Sequence, residues 1–280
     1  MNNKKRNWFI TGISSGIGKA LAEVALERGD FVMGTFRNQS QVNEFNNKYN
    51  GKGFAFLLDV TDYASIEKVI QRIEKKFSRV DVLVNTAGIG FAGAIEESSM
   101  EEARKIFEVN FFSVLKITNE FLPLMRKQRS GHIIQISSHG GLKAFAGFGI
   151  YNASKFALEG FSEALAQEVG PLGIRLSIVE PGPFRTNFAG KELGLAKKVI
   201  NDYDPTAGAF RIKLKGVHEK QEGHPQKAAK AIFDLVESDN PSLRLPLGKI
   251  ALKTIKMKLD SVAADLEKNR KVAEGAVFDD

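Results

Sequence analysis

The segment Gly12-Ile13-Ser14-Ser15-Gly16-Ile17-Gly18 stands between two apolar stretches of different period, and it restricts the fold more than any other part of the chain. Before it, Trp8-Phe9-Ile10-Thr11 reads as a short buried strand. After it, Ile17, Leu21, Val24 and Ala25 recur on one face of a helix. In that setting Gly12 permits the tight turn, Gly16 lets the backbone approach a pyrophosphate, and Gly18 allows close packing of helix on sheet. The helix N-terminus adds free N–H groups and the positive end of its dipole, with Ser14, Ser15 and Ile17 as the neighbouring contacts. The spacing alone would also suit a plain turn.

The same alternation continues downstream. Phe31–Thr35, Phe54–Leu58, Val80–Val84, Gly131–Ser137 and Arg175–Glu180 read as strands, with amphipathic stretches between them and a final edge strand at Pro241–Leu245. Such a run predicts an α/β fold of the Rossmann type: a doubly wound parallel sheet of about seven strands with helices on both faces. At 280 residues, a single domain over 1–280 is expected. Asp62 or Thr61 should cap the helix that carries Ile66, Val69, Ile70, Ile73 and Phe77. In dinucleotide-binding sheets the end of the second strand meets the adenosine ribose, where a carboxylate suits NAD and an arginine suits the 2′-phosphate of NADP. Here that place holds Phe36-Arg37-Asn38, so Arg37 predicts NADP(H) over NAD(H). Asp59 and Val60 end the third strand, as a cap or an adenine contact, and Asn85-Thr86-Ala87-Gly88 offers small residues to a flat ligand.

Composition narrows the alternatives. The chain has no cysteine, which removes disulfides and thiolate chemistry and fits a cytoplasmic location. No apolar run is long enough to span a membrane, and Trp8-Phe9-Ile10 is too short for the core of a secretory leader. The net charge of +7 is spread among acids, and Lys249, Lys253, Lys256 and Lys258 read as a solvated helix face, so no nucleic-acid partner is expected. No His, Asp or Glu set has metal-ligand spacing, and no metal is expected.

Polar residues in apolar surroundings point to chemistry. Asn110 interrupts the apolar stretch Met100–Leu122, read as one buried helix, and a mid-helix Asn there needs hydrogen-bond partners. Ser138 follows the fifth strand, where a hydroxyl faces the ligand crevice of such sheets. Tyr151 and Lys155 lie four residues apart on a predicted helix and so project together. A phenol with a reference pKa of about 10 is a poor acid or base near neutrality, and a nearby ammonium favours its phenolate by about 1.4 kcal/mol per pKa unit. The pair can form a tunable general acid/base.

Taken together in order, Thr11–Gly18, Asn85–Gly88, Asn110, Ser138, Tyr151-x-x-x-Lys155 and Pro181-Gly182 resemble the short-chain dehydrogenase/reductase family in its compact branch. The resemblance is strong over residues 6–190, and it looks most like the 17β-hydroxysteroid-dehydrogenase-like and retinol-dehydrogenase-like reductases. One departure is Thr86, where the family usually has a second Asn. The resemblance implies that Tyr151 exchanges a proton with the substrate oxygen, that Lys155 lowers its pKa and binds the nicotinamide ribose, and that Ser138 positions the carbonyl. It gives Asn110 a water link to Lys155, and it puts Pro181, Gly182 and Thr186 against the nicotinamide. It also implies a substrate lid over about residues 184–225. Phe91, Leu142, Phe145, Phe148, Phe184 and Phe188 are the candidate pocket residues, for a hydrophobic carbonyl or secondary alcohol. His139 and His218 read as turn or surface residues that can touch substrate. A helical extension over 249–274 would cover the pocket or a partner subunit, and apolar residues on Met100–Leu122 and Ser154–Glu168 predict a homodimer or homotetramer. The expected activity is an NADP(H)-dependent oxidoreductase. An NAD-dependent alcohol dehydrogenase and a non-catalytic NADP(H)-binding regulator stand as alternatives.

Overall fold

The structure is a computed structural model that describes residues 5–190, 193–217 and 220–278. Its elements alternate from the start: β1 (Asn7–Ile10), α1 (Gly16–Glu27), β2 (Phe31–Phe36), α2 (Gln39–Lys48), β3 (Gly53–Leu57), α3 (Tyr63–Phe77) and β4 (Val82–Asn85). A short strand β5 (Gly90–Ala92) precedes α4 (Met100–Phe107), α5 (Ser113–Gln128), β6 (Gly131–Ile136), α6 (Gly149–Val169) and β7 (Ile174–Pro181). Then come β8 (Leu193–Leu195), α7 (Ala209–Gly216), α8 (Pro225–Glu237), β9 (Arg244–Leu247) and α9 (Lys249–Glu274).

Seven strands form one parallel sheet in the order β3-β2-β1-β4-β6-β7-β9. Successive residues of a strand face opposite sides, and β1 shows the result. Trp8 and Ile10 join Leu21, Val24, Val32 and Phe233 in one core, whereas Phe9 joins Ile73, Leu83, Phe121 and Leu165 in the other. With both faces covered, the strands read as apolar runs rather than as alternation. Trp8 stacks on Phe233 at 5.6 Å and donates its indole N–H to Asp30 at 2.8 Å, so the largest core side chain leaves no polar atom unpaired. The strand order reverses between β1 and β4, and this opens the crevice in which open α/β sheets bind ligands.

Several boundaries differ from the sequence reading, each for a local reason. β4 starts at Val82 because the backbone of Val80 pairs with the Gln128 side chain, its N–H at 3.0 Å and its carbonyl at 2.9 Å, instead of joining the ladder. Asp62 is the cap of α3, accepting from the Ser65 N–H at 3.0 Å. The last strand is displaced to Arg244–Leu247, where Pro246 is tolerated on a sheet edge.

The expected helix Met100–Leu122 is not one helix. It is α4, a wider π-turn over Glu108–Phe112, and α5, which runs past Pro123 to Gln128. An interior proline costs about 3 kcal/mol. Phe121 and Met125, fully buried on one face, together contribute a comparable or larger amount, since each buried side chain of this kind is worth about 1.5–3 kcal/mol.

Between Phe184 and Pro225, the described residues of the expected lid form short turns, β8 paired with β5, and α7. α9 buries only Ala251 and Ile255; Leu252, Leu259 and Leu266 are 58%, 61% and 69% exposed. Its contact with the body is thus confined to its first turns. No helix among the described residues is long and apolar enough to cross a membrane.

His132 on β6 is buried beside Ser177, with its Nε2 at 3.0 Å from the hydroxyl. Ser177 donates its own proton to the Ser242 carbonyl at 2.8 Å, so Nε2 of His132 is the donor and Nδ1 has no partner. Burial, helped by the charge of Arg175, pushes the imidazole down to about 3. The unfolded chain therefore takes up a proton near pH 6.5 that the folded one refuses. The stability this confers is complete above pH 6.5 and is lost as the pH falls towards 3. A His132→Asn variant is expected to lack this loss. The stability gap between wild type and variant, measured by urea unfolding, should shrink below pH 6 with a slope approaching about 1.4 kcal/mol per pH unit.

Candidate active site

The C-terminal ends of β1, β4, β6 and β7 converge on one crevice. Gly12 and Gly16 have φ of +70° and +60°, the region that disfavours side chains. Gly18 serves packing: a Cβ there would lie 2.6 Å from the Gly12 carbonyl oxygen. Ser15 sits at the N-cap of α1 but its side chain makes no capping bond, which leaves the first-turn N–H groups to an anion. Ser14 is exposed at the turn, Ile17 is half-buried, and Ile13 packs across Gly34.

The loop after β4 is bonded to this turn through Thr11, whose Oγ1 accepts from the N–H of Thr86 at 2.9 Å and of Ala87 at 3.1 Å. A Cβ on Gly12 would meet Ala87 at 3.3 Å. From β7, Thr186 reaches over the same turn, its Cγ2 at 3.3 Å from where a Gly16 Cβ would stand. Arg37 is exposed just beyond β2. Asp59 accepts from the N–H and hydroxyl of Thr61 at 2.9 and 2.8 Å, which makes it a turn cap, and Val60 is buried beside it.

Two expected cofactor residues face elsewhere. Asn85 points into the protein, donating to Thr118 at 3.1 Å and to Gln135 at 3.0 Å. Gly182 donates to the Leu247 carbonyl at 2.8 Å and lies against the start of α9, with Pro181 closing β7 before it.

The four polar residues singled out for chemistry do come together. Tyr151 and Lys155 sit one turn apart on α6, both buried. Ser138, after β6, stands close enough to the phenol to favour its charged form and accepts from the Gly140 N–H at 3.0 Å. The Lys155 ammonium donates to the Ile136 carbonyl at 2.9 Å. Asn110 lies in the π-turn, a distortion frequent at functional sites. Its amide accepts from the Ile89 N–H at 2.9 Å and donates to the Ile89 carbonyl at 3.0 Å and to Ser154 at 3.1 Å. Its side chain is thereby committed to the backbone and to α6. Its Oδ1 and the Lys155 Nζ both flank Gly88, at 3.3 and 3.8 Å from where a Cβ would stand.

The charge state differs from the simple expectation. Burial pushes the Tyr151 phenol up to about 12, with the Ser138 hydrogen bond pulling only partly the other way. Burial also brings Lys155 down to about 8, opposed by the Glu159 carboxylate. Desolvation, which disfavours the charged form of each, decides both shifts. The phenol is thus a protonated acid at neutral pH.

Residues 6–193 match the model of the short chain dehydrogenases. The chain belongs to the short-chain dehydrogenase family. It is similar to a solved short-chain dehydrogenase from Streptomyces avermitilis, with 41% identity, a TM-score of 0.92, and coverage of 99% of this chain and all of that one. It is 38% identical over 244 residues to a 3-ketodihydrosphingosine reductase of Bacteroides thetaiotaomicron, covering 86% of this chain and 87% of the relative. An NADPH-dependent 3-dehydrocapnine reductase of Ornithobacterium rhinotracheale is 36% identical over 203 residues, covering 70% of each.

Within this short-chain dehydrogenase the apolar pocket is narrower than the sequence suggests. Phe148 and Phe188 lie 4.9 and 5.4 Å from the Tyr151 ring, and Phe145 belongs to the same cluster. Phe91 packs instead with Ile106 and Ala196, and Phe184 lies over Gly223. Leu142 is half-buried after the turn that follows Ser138. Sequence reasoning missed Phe210 and Leu214 of α7 and Leu193 of β8, which complete the cluster; Phe210 meets Phe148 at 4.8 Å. It named Thr11 as the strand end before the glycine turn but not its bonds to the loop after β4. His139 binds Thr254 of α9 at 2.9 Å and packs on Phe145, and burial lowers its imidazole to about 4. His218 lies outside the described residues. Among the described residues no group of His, Asp or Glu is arranged to hold a metal ion.

Gly18→Ala drives a methyl against backbone and is expected to destabilise the protein by about 1–3 kcal/mol. Gly160→Ala, on α6 with nothing within 4 Å of the added carbon, should stabilise it by about 0.5–1 kcal/mol. Urea unfolding of both variants checks the contrast.

Proposed function

We propose that this protein uses NADPH to reduce a hydrophobic ketone or aldehyde, with Tyr151 protonating the carbonyl oxygen. The observation that carries this reading is the buried, protonated phenol beside Ser138, flanked by Phe148 and Phe188 and one helical turn from an ammonium. Such an acid suits reduction, in which a proton must be given to oxygen as charge develops there.

The glycine turn, the uncapped N-terminus of α1 and the Thr186 contact over Gly16 fit a dinucleotide. Gly12, Ser14, Ser15, Gly16 and Gly18 would hold its pyrophosphate, Asp59 and Val60 would flank the adenine, and Ala87 and Gly88 would carry the nicotinamide side. The chemistry a reduced nicotinamide supplies is a hydride. Arg37, in the sequence Phe36-Arg37-Asn38 at the end of β2, supports the phosphorylated form of the cofactor. The stated NADPH dependence of the Ornithobacterium relative supports it as well.

In this reading Ser138 donates to the substrate carbonyl and orients it, and Tyr151 gives up its hydroxyl proton. The Lys155 ammonium stabilises the phenolate that remains, and Asn110 fixes the floor between Ile89 and α6. The aromatic cluster excludes water, which strengthens these electrostatic terms. Phe188, Leu193, Phe210 and Leu214 come from the segment after Phe184, which acts as the substrate lid on one NADP-binding domain. The name of the Bacteroides relative states reduction of a ketone, and this supports the direction.

Tyr151→Phe is expected to lose about 10²–10⁴-fold in kcat while NADPH binding persists, checked by NADPH oxidation with a panel of hydrophobic ketones and by fluorescence titration. Unchanged turnover would remove the proposed acid. We also assign a homodimer or homotetramer to the face where Phe112 and Phe156 stand 43% and 40% exposed. Light scattering at micromolar concentration should give a multiple of the 30.8 kDa chain, and Phe112→Glu with Phe156→Glu should reduce it to one.

A further inference from the structure

Behind the candidate acid lies a second cluster of buried charge that the proposed reaction does not use. Glu159 follows Lys155 by one turn of α6, so the two project on the same face below Tyr151. Glu159 pairs with Arg244 of β9, which also binds Glu180 of β7 and, at 2.6 Å, Glu163 of α6. Glu159 and Glu180 are almost fully buried, and each keeps one carboxylate oxygen, Oε1 and Oε2 respectively, outside these bonds. The free oxygen of Glu159 is turned towards the β6 loop: the place of a Gly141 Cβ lies 2.9 Å from it and 2.6 Å from the Ser137 hydroxyl. Three carboxylates therefore share one guanidinium, and one of the three is next to the lysine.

We infer that Glu159 is a positioning residue for the acid pair: its carboxylate, held by Arg244, keeps Lys155 in its ammonium form beneath the buried phenol. This rests on the reading of Tyr151 and Lys155 given above. The groups facing Lys155 can be named from each element. They are Tyr151, Ser154 and Glu159 on α6, the Ile136 carbonyl with Ser137 and Ser138 from the β6 end, and Asn110 from the π-turn. Glu180 and Arg244 stand behind Glu159, and His139 faces away to Thr254. Of these only Glu159 brings a compensating negative charge to the lysine. Glu180 plays a different part. Burial and the neighbouring Glu159 charge push it up to about 7; burial raises Glu159 as well, but there the charges of both Arg244 and Lys155 pull the carboxyl back towards its ionised form.

The sign follows directly. Lys155 is a cation whose burial lowers its pKa, and Glu159 opposes that; removing the carboxylate lowers it further. In wild type, kcat/KM for carbonyl reduction should fall as the pH rises through about 8. In Glu159→Gln that alkaline limb should move towards acid by about one unit or more. Glu180→Gln should leave it in place. The second readout does not depend on turnover: protein labelled with ¹³C-lysine, its Lys155 signal assigned with Lys155→Arg, should show the ammonium titration moving by the same amount in Glu159→Gln. An unmoved titration, or an equal movement in Glu180→Gln, overturns the inference. If no variant and no wild type reduces a carbonyl, the proposed function fails while the titration still decides the role of Glu159. Should Glu159→Gln not fold, Glu159→Asp carries the same test with a smaller shift in the same direction.

Discussion

One hydroxyl oxygen carries the joint between the two halves of this fold beyond the β1–β4 ladder and into the loops of the site. Thr11 Oγ1 accepts from two consecutive backbone N–H groups, those of Thr86 and Ala87, and so bonds the first turn to the loop after β4. These segments follow the last bond of the β1–β4 ladder, from the Thr11 N–H to the Val84 carbonyl at 3.0 Å, at the place where the strand order reverses. With that link made, Gly12 packs on Ala87, Gly18 on the Gly12 carbonyl, and Gly88 on Asn110 and Lys155. The anion end and the acid end of the site are thereby set at a fixed distance by backbone rather than by long side chains. Thr35 reinforces this from β2, accepting from the Gly12 N–H at 2.9 Å.

The acid end is organised by desolvation. Tyr151 and Lys155 are each driven towards their neutral forms by burial, one upward to about 12 and the other downward to about 8. The same burial makes every remaining hydrogen bond and charge nearby more influential. A protonated phenol beside an ammonium that is only just retained is a state poised for one proton transfer, and the surrounding charges decide how firmly it is held.

Much of this was legible in the sequence because it is local. The strand–glycine–helix unit, the Arg37 position, the four-residue spacing of Tyr151 and Lys155, and the hydroxyl after β6 all declare themselves within a few residues. What was not legible depends on partners distant in the chain. Phe91 and Phe210 look alike in sequence, yet only the second joins the cluster that holds Tyr151, because α7 brings it onto Phe148. The π-turn around Asn110 has no period of its own, so Met100–Leu122 read as one helix, and Pro123 read as its end although Met125 continues the buried face. Arg244 fell inside the expected edge strand Pro241–Leu245 as one more residue of it, and only the parallel pairing of β9 with β7 brings it to three glutamates. The direction of the Tyr151 shift was missed for the same reason: spacing reveals a neighbour, whereas burial is a property of the whole chain.

The departure of α9 from the body has a hydrodynamic consequence. From Met257 to Glu274 the helix extends about 27 Å at 1.5 Å per residue, with almost all of its surface in water. A body carrying such a spar tumbles anisotropically and drags more solvent than a sphere of equal mass. Rotation about the spar is the fast motion and rotation of the spar end over end the slow one, so α9 amides, whose N–H bonds lie along the helix, would report a longer correlation time than sheet amides lying across it.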